Sequence, residues 1–242
     1  MRGVGTVPAT GTHRELRSPM KVVSTLLLTA TALTSAATLH AGTNNFVVPE
    51  FRGTANSEAG YWETFSVAYG APGNLADKAG ATTGAILTQN GSASSFITGS
   101  GNIYDFSEGI QAFQLTDATS FTLGTVVLQT RTLGSELDYS SVTLTYTDAG
   151  GIHSLAPESY LELDRGTTLG ASVSSLFQWN LTGLAVNEYS ISFNGAGPSV
   201  SFDAMTLDTW NQHTLVVPEP STYALLGLGS LMLGWRTMRK RR

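Results

Sequence analysis

Three carboxylates stand close together around a tyrosine: Glu158, Glu162 and Asp164, with Tyr160 among them. On a strand these even positions share one face, because successive side chains point to opposite sides. Two carboxylates roughly 5–10 Å apart are what glycoside hydrolysis uses, one as acid and one as nucleophile or base. The odd positions, Leu161 and Leu163, give the stretch the pattern of an amphipathic strand with a solvated acidic face, and that is the reading carried forward. Other catalytic chemistries find little material. Cysteine is absent, which excludes a thiolate nucleophile, a thiolate metal site and a disulfide scaffold. Of four histidines, His13 and His40 lie in the N-terminal segment, His213 lies near the C-terminal one, and His153 sits beside Gly150-Gly151. No Gly-x-Ser-x-Gly elbow and no His-Glu-x-x-His run occurs. The chain therefore reads as non-enzymatic.

Binding chemistry has better candidates. Sugar recognition uses an exposed aromatic face beside amide or carboxylate groups, and Trp62, Tyr160 and Glu162 are the residues proposed for it. Trp62 falls on the opposite parity from Phe65, Val67 and Tyr69, which would turn it outward; Trp179 shares parity with Phe177 and Leu181 and reads as core. Asp77, Asp105, Asp138, Asp148 and Asp203 offer the oxygen ligands that calcium takes, without an EF-hand or a Gly-Asp repeat. No cofactor is expected beyond, at most, a structural calcium ion.

The elements that must position these residues are strands. Val142, Leu144 and Tyr146 alternate with threonines. The sequence Asp148-Ala149-Gly150-Gly151 then marks a turn, and residues 152–155 return as a hairpin partner. Similar alternation runs through residues 61–69, 177–181, 190–193 and 200–204. Further candidate strands are 85–89, 94–98, 102–106, 110–116, 121–132 and 158–164. No long stripe of period 3.6 interrupts them. This spacing predicts an all-β, two-sheet β-sandwich over residues 42–212, jelly-roll-like in its connections. It loosely resembles carbohydrate-binding jelly rolls, by analogy of pattern only.

Charge divides the chain. The formal net charge is −5, yet residues 42–217 hold 16 of the 18 acidic residues and only four bases, Arg52, Lys78, Arg131 and Arg165, for a net −12. Such a domain repels phosphate backbones, so no nucleic-acid partner is expected. The basic residues gather at the two ends. Met20-Lys21 precedes an uncharged apolar run over 22–33 and then Thr34, Ser35, Ala36 and Ala37, the three-part pattern of a secretory signal peptide. Residues 1–41 are accordingly read as leader and signal peptide, with the true start at Met20 and the secretion translocon as a partner.

Residues 213–242 read as a tail. Pro218, Glu219 and Pro220 come first. A 13-residue apolar run over 223–235 follows, and the basic cluster Arg236, Arg239, Lys240, Arg241 and Arg242 closes it. As a helix the run is roughly 20 Å long, short of a hydrocarbon core of roughly 30 Å, so it would make a weak transmembrane anchor. The basic cluster would stop transfer on the cytoplasmic side. The order of these three parts closely resembles the PEP-CTERM sorting signal of bacterial surface proteins. That resemblance implies a Gram-negative host, recognition by an exosortase (a membrane-embedded cysteine transpeptidase), transient residence in the inner membrane, and delivery to the cell surface or an exopolysaccharide matrix.

Overall fold

The computed structural model describes residues 45–106, 109–167 and 171–216. The signal-peptide segment, Pro218, Glu219, Pro220, the apolar run and the basic cluster lie outside the described residues. Thirteen strands follow in order: β1 (Ser57–Trp62), β2 (Asn74–Leu75), β3 (Ile86–Gln89), β4 (Phe96–Ile97), β5 (Ile103–Tyr104), β6 (Ala112–Ala118), β7 (Thr125–Gly134), β8 (Leu137–Asp148), β9 (Gly151–Leu155), β10 (Ser159–Gly166), β11 (Ala171–Asn180), β12 (Glu188–Gly195) and β13 (Val200–Trp210). No helix occurs among the described residues, and none there is long and apolar enough to cross a membrane.

All strand pairs are antiparallel and form two sheets. The larger runs β10-β11-β7-β13-β5-β4, with β1 pairing the far half of β13. The smaller runs β2-β3-β6-β12-β8-β9. Their inner faces meet in one apolar core that includes Trp62, Leu128, Phe177, Trp179, Leu144 and Ile191. Phe113, Phe193 and Phe202 stack at its centre, with ring centroids 4.5–5.6 Å apart. The expected turn after β8 forms: Asp148 Oδ1 accepts from the Gly150 amide at 2.6 Å, and Gly151 takes a φ of 113° that favours glycine.

One expected strand differs. Residues 61–69 do not run as a strand; β1 ends at Trp62. Buried Asn74 gathers the following segment instead. Its Oδ1 accepts from the Ser66 and Val67 amides, and its Nδ2 donates to the Val67 carbonyl. A side chain that satisfies these backbone groups removes the need for a strand partner.

The larger sheet has a second apolar layer. Phe51, Val127 and Leu176 are buried on its outer face, with Val47, Leu161, Leu163, Trp210 and Val216 packed around them. Phe51 stacks on Trp210 with ring centroids 5.2 Å apart. Arg52 lies beside them and forks onto Asp208, Nε to Oδ1 at 2.5 Å and Nη2 to Oδ2 at 2.7 Å. Asp208 has no exposed side-chain surface, whereas Arg52 keeps 28%. Burial pushes the Asp208 carboxyl up and the Arg52 guanidinium opposes that shift. Removing one partner of a buried pair strands the other charge in a poorly solvated site. Arg52→Met is therefore expected to cost about 3 kcal/mol in urea unfolding, and Arg52→Met combined with Asp208→Leu should recover most of it. A loss under about 1 kcal/mol for the single variant would mean that the pair does not hold this layer.

Candidate binding rim and sorting end

The edge strand β10 carries two of the candidate sugar-binding residues, Tyr160 and Glu162. Tyr160 pairs with Phe177 in register, so its ring faces the core side at the open edge of the sandwich. Its centroid lies 4.8 Å from Tyr139 and 5.3 Å from Phe177, and it keeps 44% of its surface exposed. A register shift falls between Glu162 and Asp164. One extra residue inverts the alternation, and β-bulges re-aim side chains in this way. Glu162 and Arg165, an odd number apart, consequently meet: Arg165 Nε and Nη2 donate to the Glu162 carboxylate at 2.9 and 2.7 Å. The same guanidinium donates to both oxygens of Glu136, just ahead of β8 in the other sheet, with Nη2 to Oε2 at 3.0 Å. The Tyr139 hydroxyl donates to Glu136 Oε2 at 2.7 Å. Arg165 thus clamps the two sheets together at the rim. It holds Glu136 and Glu162 below the usual carboxylate range, with the Tyr139 hydroxyl assisting at Glu136. Burial and the hydrogen bond to Glu136 push the Tyr139 hydroxyl up.

Two expectations are corrected here. Trp62 is not an exposed sugar platform: it is fully buried and donates from Nε1 to the Asn74 carbonyl at 3.0 Å. Its parity had been projected from Phe65, but the strand stops between them. The acidic trio is not one face either. The bulge separates Asp164 from Glu162, and Glu158 lies 3.5 Å from His213 across the sheet. His153 contacts Asp148 at the exposed β8–β9 turn, where the imidazole is the main cause that draws the Asp148 carboxyl down. The five candidate calcium ligands are scattered, and among the described residues no three His, Asp or Glu side chains converge on one point. Asp105, for example, is buried and accepts from Ser94 Oγ through both oxygens.

Sequence reasoning missed three features. Phe96, Tyr104 and Phe106 form an aromatic group at the β4–β5 edge, with centroids 4.8–5.8 Å apart and Phe106 mostly exposed. A hollow of about 530 Å³ lies between β1 and the preceding segment, where Phe46 and Tyr61 face the Lys78–Glu63 ion pair. The third feature is the way both ends of the described domain are tied down. Gln129 is fully buried in β7; its Oε1 accepts from the Val47 amide at 2.7 Å and its Nε2 donates to the Val47 carbonyl at 2.8 Å. Gln178, fully buried in β11, does the same further on: Nε2 donates to the Thr214 carbonyl at 2.6 Å and Oε1 accepts from the Val216 amide at 2.8 Å. Thr125 Oγ1 adds a bond to the Gln212 carbonyl at 2.7 Å. Gly124 makes room for this approach, since a Cβ there would lie 2.5 Å from the Gln212 backbone. The signal for these ties was polar residues, Gln129 and Gln178, set inside apolar runs.

The docked segment ends where the tail begins. Residues 216–242 match the PEP-CTERM protein-sorting motif. No curated protein matches the sequence. Among solved structures, the CBM35 from Cellvibrio japonicus Abf62 is similar over 53% of this chain and 99% of its own, at 14% identity and a TM-score of 0.26. The sorting motif marks the chain as an exported exosortase substrate that is anchored transiently in the membrane before it reaches the cell surface.

The clamp gives a pH signature. Both glutamates titrate lower in the folded protein than in the unfolded one, so their stabilisation is present above the ordinary glutamate value of about 4.3 and fades as pH falls through their folded values. In Arg165→Gln, NMR titration should find both carboxyls moved back up toward that ordinary range. Unmoved titration curves would show that Arg165 does not set them.

Proposed function

We propose that this chain is a non-catalytic surface or matrix protein, cut near Pro218–Pro220 by an exosortase and retained in exopolysaccharide by its sandwich. One observation carries the reading: the PEP-CTERM match starts at Val216, the residue at which Gln178 finishes tying the folded domain down. The enzyme then meets its motif directly beside a completed domain, and a cut there leaves the core, the clamp and the terminal ties intact. Repeated passage of the chain between the two sheets supports a jelly-roll-like connectivity.

The rim supports a second reading, a carbohydrate-binding module with a defined glycan site, because Tyr160 presents an exposed ring beside Glu162. A glycoside hydrolase is the weaker alternative. Such an enzyme separates the protonation of its two carboxylates, raising one to serve as acid. Here Arg165 lowers both Glu136 and Glu162.

The intact mass of protein released at the cell surface tests the processing step. The expected mass corresponds to loss of residues 218–242 together with the signal peptide. A mature chain still ending at Arg242 would refute it.

A further inference from the structure

We infer that the outer face of the smaller sheet is a binding groove for a neutral polysaccharide chain. The inference rests on the matrix reading and assigns it a surface. The inward residues of this sheet, among them Leu87, Phe113, Leu115, Leu144, Ile191 and Phe193, belong to the core. The alternate residues point outward and fall into register across the strands. Ile86 pairs with Thr116, Thr116 with Ser190, Ser190 with Thr145 and Thr145 with Ser154, which makes one row over five strands. Thr88, Gln114, Ser192 and Thr143 make a second. With strands roughly 4.8 Å apart, the longer row spans roughly 20 Å. An open groove of about 530 Å³ lies over one end of this face, where Ile86, Gln114, Thr116, Thr145 and Ser190 line it.

Three properties select the ligand. First, apart from the apolar Ile86 at one end, the rows are hydroxyls and one amide, without a charged side chain. Thr88, Gln114, Thr116, Ser190 and Ser192 make no side-chain hydrogen bond to any described residue, so their donors and acceptors are available to a polyhydroxylated partner. Second, among the described residues the charged groups lining the groove are Asp117 and Glu188, and no basic side chain lines it. In a domain of net −12 this disfavours uronates, phosphates and nucleic acids. Third, the opposite side of the sandwich is occupied. Residues around Val47 and Val216 are docked on the outer face of the larger sheet, and the sorting tail departs from there. The smaller sheet is the face turned away from the anchoring end, toward the surrounding matrix.

Affinity electrophoresis of the mature secreted protein through gels containing dextran, laminarin, galactomannan or alginate tests the site. Wild-type protein should be retarded by at least one of the three neutral polymers and not by alginate. Gln114→Ala combined with Ser192→Ala removes two hydrogen-bonding side chains and should weaken retardation by about thirtyfold. Ser190→Arg should abolish it by filling the groove. Both variants change outward residues, and unaltered circular dichroism and thermal midpoints will confirm their folds. Tyr160→Ala should bind as wild type does. If the groove variants bind normally while Tyr160→Ala does not, the rim is the sugar site and this inference is overturned, although the matrix reading survives. The inference also falls if all variants bind normally or if alginate binds best. Wild-type protein held by none of the polymers overturns both.

Discussion

Gln129, Gln178 and Asp208 are polar side chains buried in the middle of a β-sheet, and the architecture turns on how they are satisfied. A buried amide left without partners costs about 1–3 kcal/mol, and a buried carboxylate costs more. The backbone groups of the neighbouring strands are already spent on the ladder, and β13 adds just a side chain, Thr206 Oγ1, which accepts from Gln129 Nε2 at 3.1 Å. The segments flanking β1 and β13 supply the rest. Val47 and Arg52 come from the segment before β1, and Thr214 and Val216 from the segment after β13. The larger sheet therefore has two buried faces, one against the smaller sheet and one under the segments that flank β1 and β13. The order of the sandwich at one end is thereby coupled to the order of the residues that lead into the sorting motif.

This double burial explains which parts of the fold were legible. β6, β8 and β12 each bury one face, and their alternation of apolar with Thr, Ser or Gln could be read directly. Residues 121–132 and 177–181 also read as strands, but the alternation does not reveal that β7 and β11 are buried along most of their length on both sides. A run such as Thr125-Val126-Val127-Leu128-Gln129 has no period to read, and a glutamine in it looks like an irregularity until the segment that it grips is seen. The Trp62 misassignment has a different origin. Parity carries information only along a continuous strand, and Asn74 ends that continuity by hydrogen-bonding the backbone of residues 66–67. At the rim, composition and spacing single out Tyr160 and Glu162 as candidates. The bulge that brings Arg165 to Glu162, and the reach to Glu136 in the other sheet, are tertiary facts without a local signature.

The same asymmetry organises function. One face of the sandwich receives the segments around Val47 and Val216, and the second of these leads into the sorting motif. The other face is open, uncharged along its rows and rich in unpaired hydroxyls. The rim between them is closed by the Arg165 clamp, which secures the edge strand without help from disulfides, in keeping with a cysteine-free exported chain. In the proposed reading, two sheets with different outer faces separate attachment from contact with the matrix.

Hydrogen exchange of the secreted protein tests the terminal ties most directly. The Val47 and Val216 amides should exchange as slowly as those of β7 and β11, because their acceptors are the buried Gln129 and Gln178 side chains. Exchange of both amides at the rate of unstructured chain would contradict the account, since the ends would then not complete the larger sheet.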